Sequence, residues 1–256
     1  MPRATPQEAF RRRRLGRSHY THPMGIEVVG IDGDDTLWHS EGHFHVTEQR
    51  YRELLAPWVD PESVSTALLA TERRNLALFG YGVKGFTLSM IETALTLTEH
   101  RIDGVHMDKI ISLGKELLAH PVELLDGVAE TLGVLGEGHR LVLITKGDLF
   151  HQESKVAASG VAERFESVEI VAEKDPATYA RVLRRMGASP DAFCMIGNSV
   201  RSDIAPVLEL GGAGIHVPYH VTWALEHAEL EESHPRLAQV SEIRQAPAAL
   251  AGLAAA

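Results

Sequence analysis

The feature that most constrains the fold is a single apolar strand, residues 27–31, which stands far ahead of the other strands of the sequence. The later strands alternate with helical segments, and this pattern is typical of a parallel sheet covered by helices on both faces. We predict these strands at 141–144, 168–171, 193–196 and 214–217, with helices at about 127–137, 149–159, 176–187 and 201–210. The sequence therefore predicts a doubly wound, Rossmann-like α/β core whose first strand is separated from the rest by an insertion.

The insertion is predicted to be helical throughout. Its apolar residues recur with helical periodicity in three blocks, at 51–58, 86–97 and 105–118. Asp60 followed by Pro61 is typical of a further helix start. The glycine-rich segment 80–85 indicates an exposed loop.

These patterns divide the chain into three parts. We predict an Arg-rich arm at 1–24, an α/β catalytic core formed by 25–40 and 120–256, and an all-helical cap at 41–119. The arm holds six arginines and one acid, which favours a disordered extension, with a targeting or polyanion-binding arm as the alternative. In the tail we expect a strand near 238–243 and a short helix after Pro247.

Composition argues against several classes of protein. The net charge of −10 disfavours nucleic acid as the main partner. No apolar run approaches the roughly 18 residues needed to cross a bilayer, and the N-terminus lacks the features of a signal peptide. The single cysteine, Cys194, excludes an internal disulfide and fits a reducing compartment. We therefore expect a cytoplasmic protein without a membrane partner.

Polar side chains follow four of the predicted strands at the points where the strands end. Open parallel sheets bind ligands at the carboxyl ends of their strands, so we expect these side chains to converge. In strand order they are Asp32 and Asp34, then Thr145 with Lys146 and Gly147, then Lys174, and finally Asn198 with Asp203.

This set of groups suits phosphoryl transfer. Clustered carboxylates repel one another and need a cation, and hard oxygen ligands select Mg²⁺. The metal would neutralise phosphate charge and admit an ionised aspartate as the nucleophile, with an aspartyl-phosphate as the covalent intermediate. A second carboxylic group would protonate the leaving oxygen and then activate water. Threonine and lysine donors would bind the phosphoryl oxygens.

Four segments, in order along the chain and each at a strand end, resemble the four motifs of the haloacid dehalogenase-like hydrolases. They are Asp32-x-Asp34-x-Thr36-Leu37, Thr145, Lys174, and the segment from Gly197-Asn198 to Asp203. The resemblance covers about residues 26–217. It implies the α/β core described above, with a helical cap inserted after the first motif.

The resemblance also implies a role for each residue. Asp32 would be the nucleophile and a metal ligand, and Asp34 would be the general acid and base, giving the metal its backbone carbonyl. Thr145 would hydrogen-bond the phosphoryl group, with backbone amides near Lys146 and Gly147 helping to bind the substrate.

The remaining motif residues would complete the charge balance. Lys174 would offset the charge of the nucleophile and phosphate, while Asn198 and Asp203 would complete the Mg²⁺ shell directly or through water. The family's fourth motif usually begins Gly-Asp, whereas this chain has Gly197-Asn198. An amide oxygen ligates without supplying charge, so either Asp203 contributes more or the metal is held more weakly.

In this family the cap closes over the site, excludes water and selects the substrate. Lys84, in the loop 80–85, is the cap residue that we expect to reach the substrate, and a solvated lysine is the alternative. The expected activity is Mg²⁺-dependent hydrolysis of a small phosphorylated metabolite. Sugar phosphates, nucleoside monophosphates and phosphoglycolate-like acids all remain open, and so does the oligomeric state.

Other functions stay open on the same residues. A haloacid dehalogenase does not need an acid/base two residues after the nucleophile, so Asp34 favours phosphate esters. A phosphomutase would retain the phosphoryl group, and a phosphonate-cleaving enzyme would need a cap lysine such as Lys84. From another class, a signalling receiver phosphorylated on an aspartate gathers similar groups, but its acceptor follows a later strand in a domain without a long helical insertion. A non-catalytic binding protein on this fold is the other alternative, and Asn198 is its only support.

Overall fold

The computed structural model describes residues 25–229 and 233–255, and the predicted arm at 1–24 lies outside them. A six-stranded sheet forms the centre of the molecule, and every pairing in it is parallel. In the order β3-β2-β1-β4-β5-β6, its strands are β1 Val28–Ile31, β2 Arg140–Lys146, β3 Ser167–Val171, β4 Phe193–Gly197, β5 Ala213–His216 and β6 Leu237–Gln239. The predicted parallel α/β core is confirmed.

Strand β1 lies in the middle of the sheet, and all four of its residues are buried. It pairs with β2 on one side and with β4 on the other, so the strand order reverses direction at this position. Such a reversal opens a crevice at the carboxyl ends of the strands, where doubly wound sheets bind ligands. The end of β1 therefore faces the natural binding site of this fold.

Four helices occupy the chain between β1 and the rest of the core. They are α1 Glu41–Leu55, α2 Pro61–Phe79, α3 Val83–Leu97 and α4 Gly104–Leu118. They share an apolar cluster of their own, which includes Tyr51, Leu68, Met90 and Ile110. Within it the Tyr51 hydroxyl donates to the carbonyl oxygen of Met90 at 2.7 Å. The predicted helical insertion is therefore present, and we call these four helices the cap.

The core helices cover both faces of the sheet. They are α5 Val128–Gly138, α6 Leu149–Ala158, α7 Pro176–Met186, α8 Ala205–Glu209 and α9 Ala246–Ala255. Val29 and Ile31 belong to one apolar cluster with α5, α6 and α9, whereas Val28 belongs to a second with α7 and α8. Successive residues of a strand point to opposite faces, so β1 contributes to both layers.

Two local predictions differ from the structure. Segment 80–85 is only partly a loop, because α3 begins at Val83. The helix predicted at 201–210 consists of a single wide π-helical turn, Val200–Ile204, followed by the short α8. Pro206 has no N–H to donate to the carbonyl of Ser202, and the Tyr179 hydroxyl donates to that carbonyl instead, at 3.0 Å.

The described C-terminal tail agrees with the expectations for it. Strand β6 and helix α9 correspond to the strand and helix predicted for the tail. No helix in the described residues combines the length and the apolar character that a bilayer crossing requires.

Candidate active site

A cavity of about 210 Å³ lies where the carboxyl ends of the strands meet the cap. All but one of the predicted site residues line it, namely Asp32, Asp34, Thr145, Lys146, Gly147, Lys174, Asn198 and Asp203. The cap contributes the opposite wall, which includes Glu41, Phe44, Glu48, Glu72, Asn75 and Phe86. The convergence of the strand ends that the sequence predicts is therefore present in the fold.

Lys174 joins two carboxylates at the floor of the cavity. Its Nζ donates to Asp32 Oδ1 and, at 2.7 Å, to Asp203 Oδ1, and all three side chains are buried. Burial alone would lower the pKa of the Lys174 ammonium, but Asp203 and Asp32 hold that pKa above its ordinary value. Burial raises the pKa of the Asp32 carboxyl, and the neighbouring ammonium acts in the opposite direction. Lys174 therefore stays charged and offsets the two acids.

Asp203 reaches the site because Gly197 has no side chain. A Cβ at Gly197 would lie 2.3 Å from the carboxyl group of Asp203, which is far inside van der Waals contact. The carboxylate is fixed further by the backbone N–H of Ser199, which donates to Asp203 Oδ2 at 3.0 Å. The glycine at the end of β4 is therefore a steric requirement of the site.

We expect Gly197→Ala to destabilise the protein by about 1–3 kcal/mol, the usual cost of overpacking, and to lower activity by displacing Asp203. The matched control is Gly133→Ala on α5, where an added Cβ would meet nothing within 4 Å. That change should stabilise the helix by about 0.5–1 kcal/mol. Urea denaturation measures the change in the free energy of unfolding for both variants. Equal effects of the two substitutions would contradict a steric requirement for glycine at position 197.

Asp34 accepts hydrogen bonds on both carboxylate oxygens. Lys155 Nζ lies 2.5 and 2.7 Å from Oδ1 and Oδ2, Trp38 Nε1 donates to Oδ1 at 2.6 Å, and Gln152 Nε2 donates to Oδ2 at 3.1 Å. Burial alone would raise the pKa of Asp34, but Lys155, Trp38 and Gln152 together lower it below its ordinary value. The structure therefore holds Asp34 as an oriented carboxylate.

Asp35, to which sequence reasoning assigned no chemistry, connects this loop to the cap. Its carboxylate accepts the backbone N–H groups of Ser40 at 2.9 Å and of Glu41 at 3.0 Å, at the N-terminus of α1. The unpaired N–H groups of a helix start favour a negative group there. Burial, assisted by the charge of Asp34, raises the pKa of Asp35 to about 7. The loop that carries Asp32 is thereby anchored to the first cap helix.

Residues 145–147 differ in part from expectation. Thr145 is buried and its Oγ1 accepts from Gln152 Nε2 at 2.7 Å. The Gly147 N–H, expected to bind the substrate, donates to the carbonyl of Val171 at 3.3 Å, because β2 and β3 remain paired to this point. The Lys146 ammonium binds Glu226 at 2.6 Å and lies 3.9 Å from the centre of the Tyr81 ring.

Lys84 is the predicted site residue that does not line the cavity. It lies in the first turn of α3, and its ammonium binds both carboxylate oxygens of Asp148 at 3.0 Å. The pair is partly exposed and connects the cap to the start of α6. In this arrangement Lys84 joins the cap to the core outside the cavity lining, and its contact with the substrate stays a prediction that this position does not support.

The oxygen atoms at the end of β1 and β4 fit a hard cation. Thr36 Oγ1 lies 3.1 Å from Asp32 Oδ2 and 3.4 Å from Asn198 Oδ1, yet a hydroxyl has a single hydrogen and satisfies only one of them. The other oxygen keeps its lone pairs for a metal ion. The Asp203 oxygens accept from Lys174 and from the Ser199 N–H, and each oxygen keeps a further lone pair.

The oxygen atoms that could bind a metal at this site include few charged groups. Within residues 25–229 and 233–255, no group of three or more His, Cys, Asp or Glu side chains is arranged to hold a metal. A cation here would depend on Asp32, on the amide oxygen of Asn198 and on main-chain oxygen. Asp203 binds Lys174 here, and its expected place in the metal shell, directly or through water, stays a prediction.

Sequence reasoning missed two groups of residues. Gln152 and Lys155, on α6, bind Asp34, and a polar residue on the buried face of an amphipathic helix was the only available signal. The loop after β5 was unclear from sequence, yet Glu226 accepts from Lys146 and from the hydroxyls of Ser199 and Ser202. Trp223 of the same loop packs edge-on against the Tyr81 ring.

Comparisons with known proteins fit this geometry. A family model described as haloacid dehalogenase-like hydrolase matches residues 26–211. The chain is 46% identical to a solved haloacid dehalogenase-like family hydrolase from Xanthomonas campestris, with a TM-score of 0.82 over 90% of this chain and 93% of that one. A search of the curated proteins found no match.

More distant structures share the fold alone. One is a 2-haloacid dehalogenase from Pseudomonas syringae pv. Tomato, with 23% identity and a TM-score of 0.59 over 88% of this chain and 98% of that chain. Another is a predicted phosphoglycolate phosphatase from Haemophilus somnus, with 15% identity and a TM-score of 0.58 over 88% of this chain and 97% of that chain. Two different reactions are therefore represented among proteins with this architecture.

Proposed function

We propose that this chain, which belongs to the haloacid dehalogenase-like hydrolase family, is a phosphatase that hydrolyses a small phosphomonoester through an aspartyl-phosphate on Asp32. The observation that carries the proposal is the position of Asp34. Its carboxylate lines the same cavity as Asp32 and is held there by Lys155, Trp38 and Gln152. Dehalogenation needs no proton-transfer group at this position, whereas release of an alcohol from a phosphate ester does.

In the first half of the reaction, an Asp32 oxygen attacks phosphorus and the bond from phosphorus to the ester oxygen breaks. Asp34, protonated in this step, gives its proton to the leaving oxygen, and the alcohol departs. A phosphate dianion beside Asp34 raises the pKa of that carboxyl, because a like charge disfavours ionisation. Lys174 and the Thr145 hydroxyl donate to the phosphoryl oxygens as their charge shifts.

In the second half, the Asp34 carboxylate takes a proton from a water molecule that attacks phosphorus. The bond from phosphorus to Asp32 breaks, inorganic phosphate leaves, and the Asp32 carboxylate is restored. The anionic Asp34 held by Lys155 is the form that this half requires. The cap wall would shield the intermediate from bulk solvent.

We propose Mg²⁺ as the cofactor. Asp32, the main-chain carbonyl of Asp34 and the amide oxygen of Asn198 would hold it, because hard oxygen donors favour this ion. When bound, the cation would neutralise charge on the phosphoryl oxygens. With Asn198 in place of an acid, we expect the site to need more free Mg²⁺ than a site with a second aspartate there.

The proposal is tested by a panel of phosphomonoesters, assayed for free phosphate with Mg²⁺ and with a chelator. The same preparation is assayed for halide release from 2-haloacids. We expect Mg²⁺-dependent phosphate release and no halide release. Halide release without phosphate release would establish the dehalogenase alternative, and turnover without free phosphate would establish a phosphomutase.

The cap wall favours a substrate whose body carries no second anion. Three glutamates, Glu41, Glu48 and Glu72, face the cavity from the cap. Burial, with the neighbouring Asp35, raises the pKa of Glu41 to about 8, and burial, with the neighbouring Glu48, raises that of Glu72 to about 7. Once these acids ionise, above about pH 8, a substrate carboxylate placed among them is repelled, at a cost in binding free energy.

We therefore expect polyol or sugar phosphates to exceed phosphoglycolate in kcat/KM above about pH 8 by roughly tenfold or more, where tenfold is ~1.4 kcal/mol, and this preference should fall as the pH is lowered through 7. Glu72→Gln should reduce the difference, because it removes one of the three acids. The ratio of kcat/KM for sugar phosphates to kcat/KM for phosphoglycolate, determined for the wild type and for Glu72→Gln, measures this preference. A preference for phosphoglycolate in the wild type would contradict the assignment.

A further inference from the structure

One buried amide, that of Gln152, contacts both parts of the proposed chemistry. The residue lies on α6, is 2% exposed and lines the cavity. Its Nε2 is within hydrogen-bonding distance of three acceptors, which are Thr145 Oγ1 at 2.7 Å, the Lys146 carbonyl at 3.0 Å and Asp34 Oδ2 at 3.1 Å. The Lys146 carbonyl and the Asp34 carboxylate can only accept hydrogen bonds, so the end of the amide that faces them must be the nitrogen.

The Thr145 contact determines where the threonine hydroxyl can donate. A hydroxyl has one hydrogen and two lone pairs. Since the Gln152 N–H occupies a lone pair of Thr145 Oγ1, the hydroxyl hydrogen must point elsewhere. Thr145 is fully buried at the end of β2 and lines the cavity, so that hydrogen is available to a phosphoryl oxygen.

The hydrogen bond from Gln152 to Asp34 connects the same amide to the proposed proton-transfer group. Lys155, one turn further along α6, binds both oxygens of Asp34, and Gln152 adds a donor to Oδ2. Helix α6 starts two residues after Gly147, whose φ of +148° places the backbone where a side chain is disfavoured. A Cβ at Gly147 would lie 3.2 Å from Gln152 Cγ, so the glycine also leaves room for the amide.

We propose that Gln152 is a positioning residue that orients the Thr145 hydroxyl toward the phosphoryl group and the Asp34 carboxylate toward the leaving oxygen. The inference rests on the proposed phosphatase function. In this proposal Gln152 acts on the substrate only through the other two residues. Its loss should therefore act on kcat more than on KM, since misplacement of catalytic groups costs up to about 10²-fold in rate.

The test is a double-mutant cycle between Gln152→Leu and Thr145→Val, read as kcat and KM for phosphate release. We expect Gln152→Leu to lower kcat by roughly ten- to a hundredfold in the wild-type background. In the Thr145→Val background it should cost much less, because the hydroxyl that it orients is gone. Costs that multiply independently in the two backgrounds would overturn the proposal.

A second experiment tests the hydrogen bond between Gln152 and Asp34 by comparing two kinds of leaving group. Alkyl phosphates need a proton donor for their leaving oxygen, whereas p-nitrophenyl phosphate has a leaving group that departs as an anion. We expect Gln152→Leu to reduce turnover of alkyl phosphates more than turnover of p-nitrophenyl phosphate. Equal losses on both substrates would overturn the part of the proposal that concerns Asp34.

Controls separate positioning from folding and from the proposed function. Glu153→Gln changes the exposed neighbour on the same helix and should leave kcat unchanged. Gln152→Met, which keeps an unbranched chain, replaces Gln152→Leu in the cycle if the leucine variant does not fold. Independent costs in an active enzyme overturn this inference alone, whereas a wild type that releases no phosphate from any substrate overturns the proposed function as well.

Discussion

Asp32→Asn should abolish phosphate release, with a loss of about 10⁴-fold or more, as for other enzymes that lose their nucleophile. The amide has the shape of the acid but cannot form the acyl phosphate by attack of an anionic oxygen. The fold should survive, because Lys174 keeps its contact with Asp203. Phosphate release under saturating Mg²⁺ measures the loss, and circular dichroism checks the fold.

The control for this change is Asp108→Asn, an exposed aspartate on cap helix α4. It makes the same chemical substitution away from the cavity, and kcat should stay within about twofold of the wild type, since surface substitutions have small effects. If Asp32→Asn kept a rate within about tenfold of the wild type, Asp32 would not be the nucleophile.

Lys174→Met should destabilise the protein by about 3–5 kcal/mol, because breaking a buried ion pair leaves uncompensated charge. The two buried carboxylates of Asp32 and Asp203 would then lie without the ammonium between them. Phosphate release should fall as well, since the substrate adds further negative charge. Urea denaturation without divalent metal measures the loss of stability.

Lys84→Met is the matched comparison. It removes a partly exposed lysine from its pair with Asp148, and such pairs contribute about 0–1 kcal/mol. The loss caused by Lys174→Met should also shrink as the pH falls, because protonation of Asp32, whose pKa burial raises to about 7, removes part of the uncompensated charge. Equal, small losses for both lysine substitutions would show that the buried ammonium is not essential to the fold.

The sheet and the positions of most site residues could be predicted because they depend on short-range patterns. Apolar runs such as Phe193–Gly197 identify the strands, and polar residues at their ends share one edge in any parallel sheet. Asp32, Thr145, Lys174 and Asn198 therefore meet in one cavity as expected. The limits of the cap at residues 41–119 and the cytoplasmic location stay predictions.

The structure adds detail where a side chain could bind more than one partner. Lys84 follows a glycine-rich segment, yet the position of α3 against Asp148 gives its ammonium a protein partner. The helix predicted at 201–210 is present but opens with a π-helical turn, where Pro206 lacks a donor and Tyr179, from another helix, supplies one. Each outcome depends on a residue that is distant in sequence, so local patterns could not reveal it.

Gln152 and Lys155 were missed for the same reason. Nothing in the spacing of α6 indicates that their donors face Asp34, because that contact joins residues more than a hundred positions apart. The role of Asp35 could not be predicted either, because the first residue of α1 must be known before the side chain that binds its N-terminal N–H groups can be identified. The sequence predicts the reacting groups, and the fold reveals the side chains that contact them.

The most direct test of the central claim traps the covalent intermediate. Asp34→Asn removes the base that activates water, so p-nitrophenyl phosphate, whose leaving group needs no acid, should phosphorylate the variant faster than water releases phosphate. A burst of nitrophenolate stoichiometric with enzyme, followed by acid quenching, borohydride reduction and peptide mass spectrometry, locates the phosphoryl group. We predict a reduced side chain at Asp32; nitrophenolate release without a burst and without modification of Asp32 would contradict the aspartyl-phosphate account.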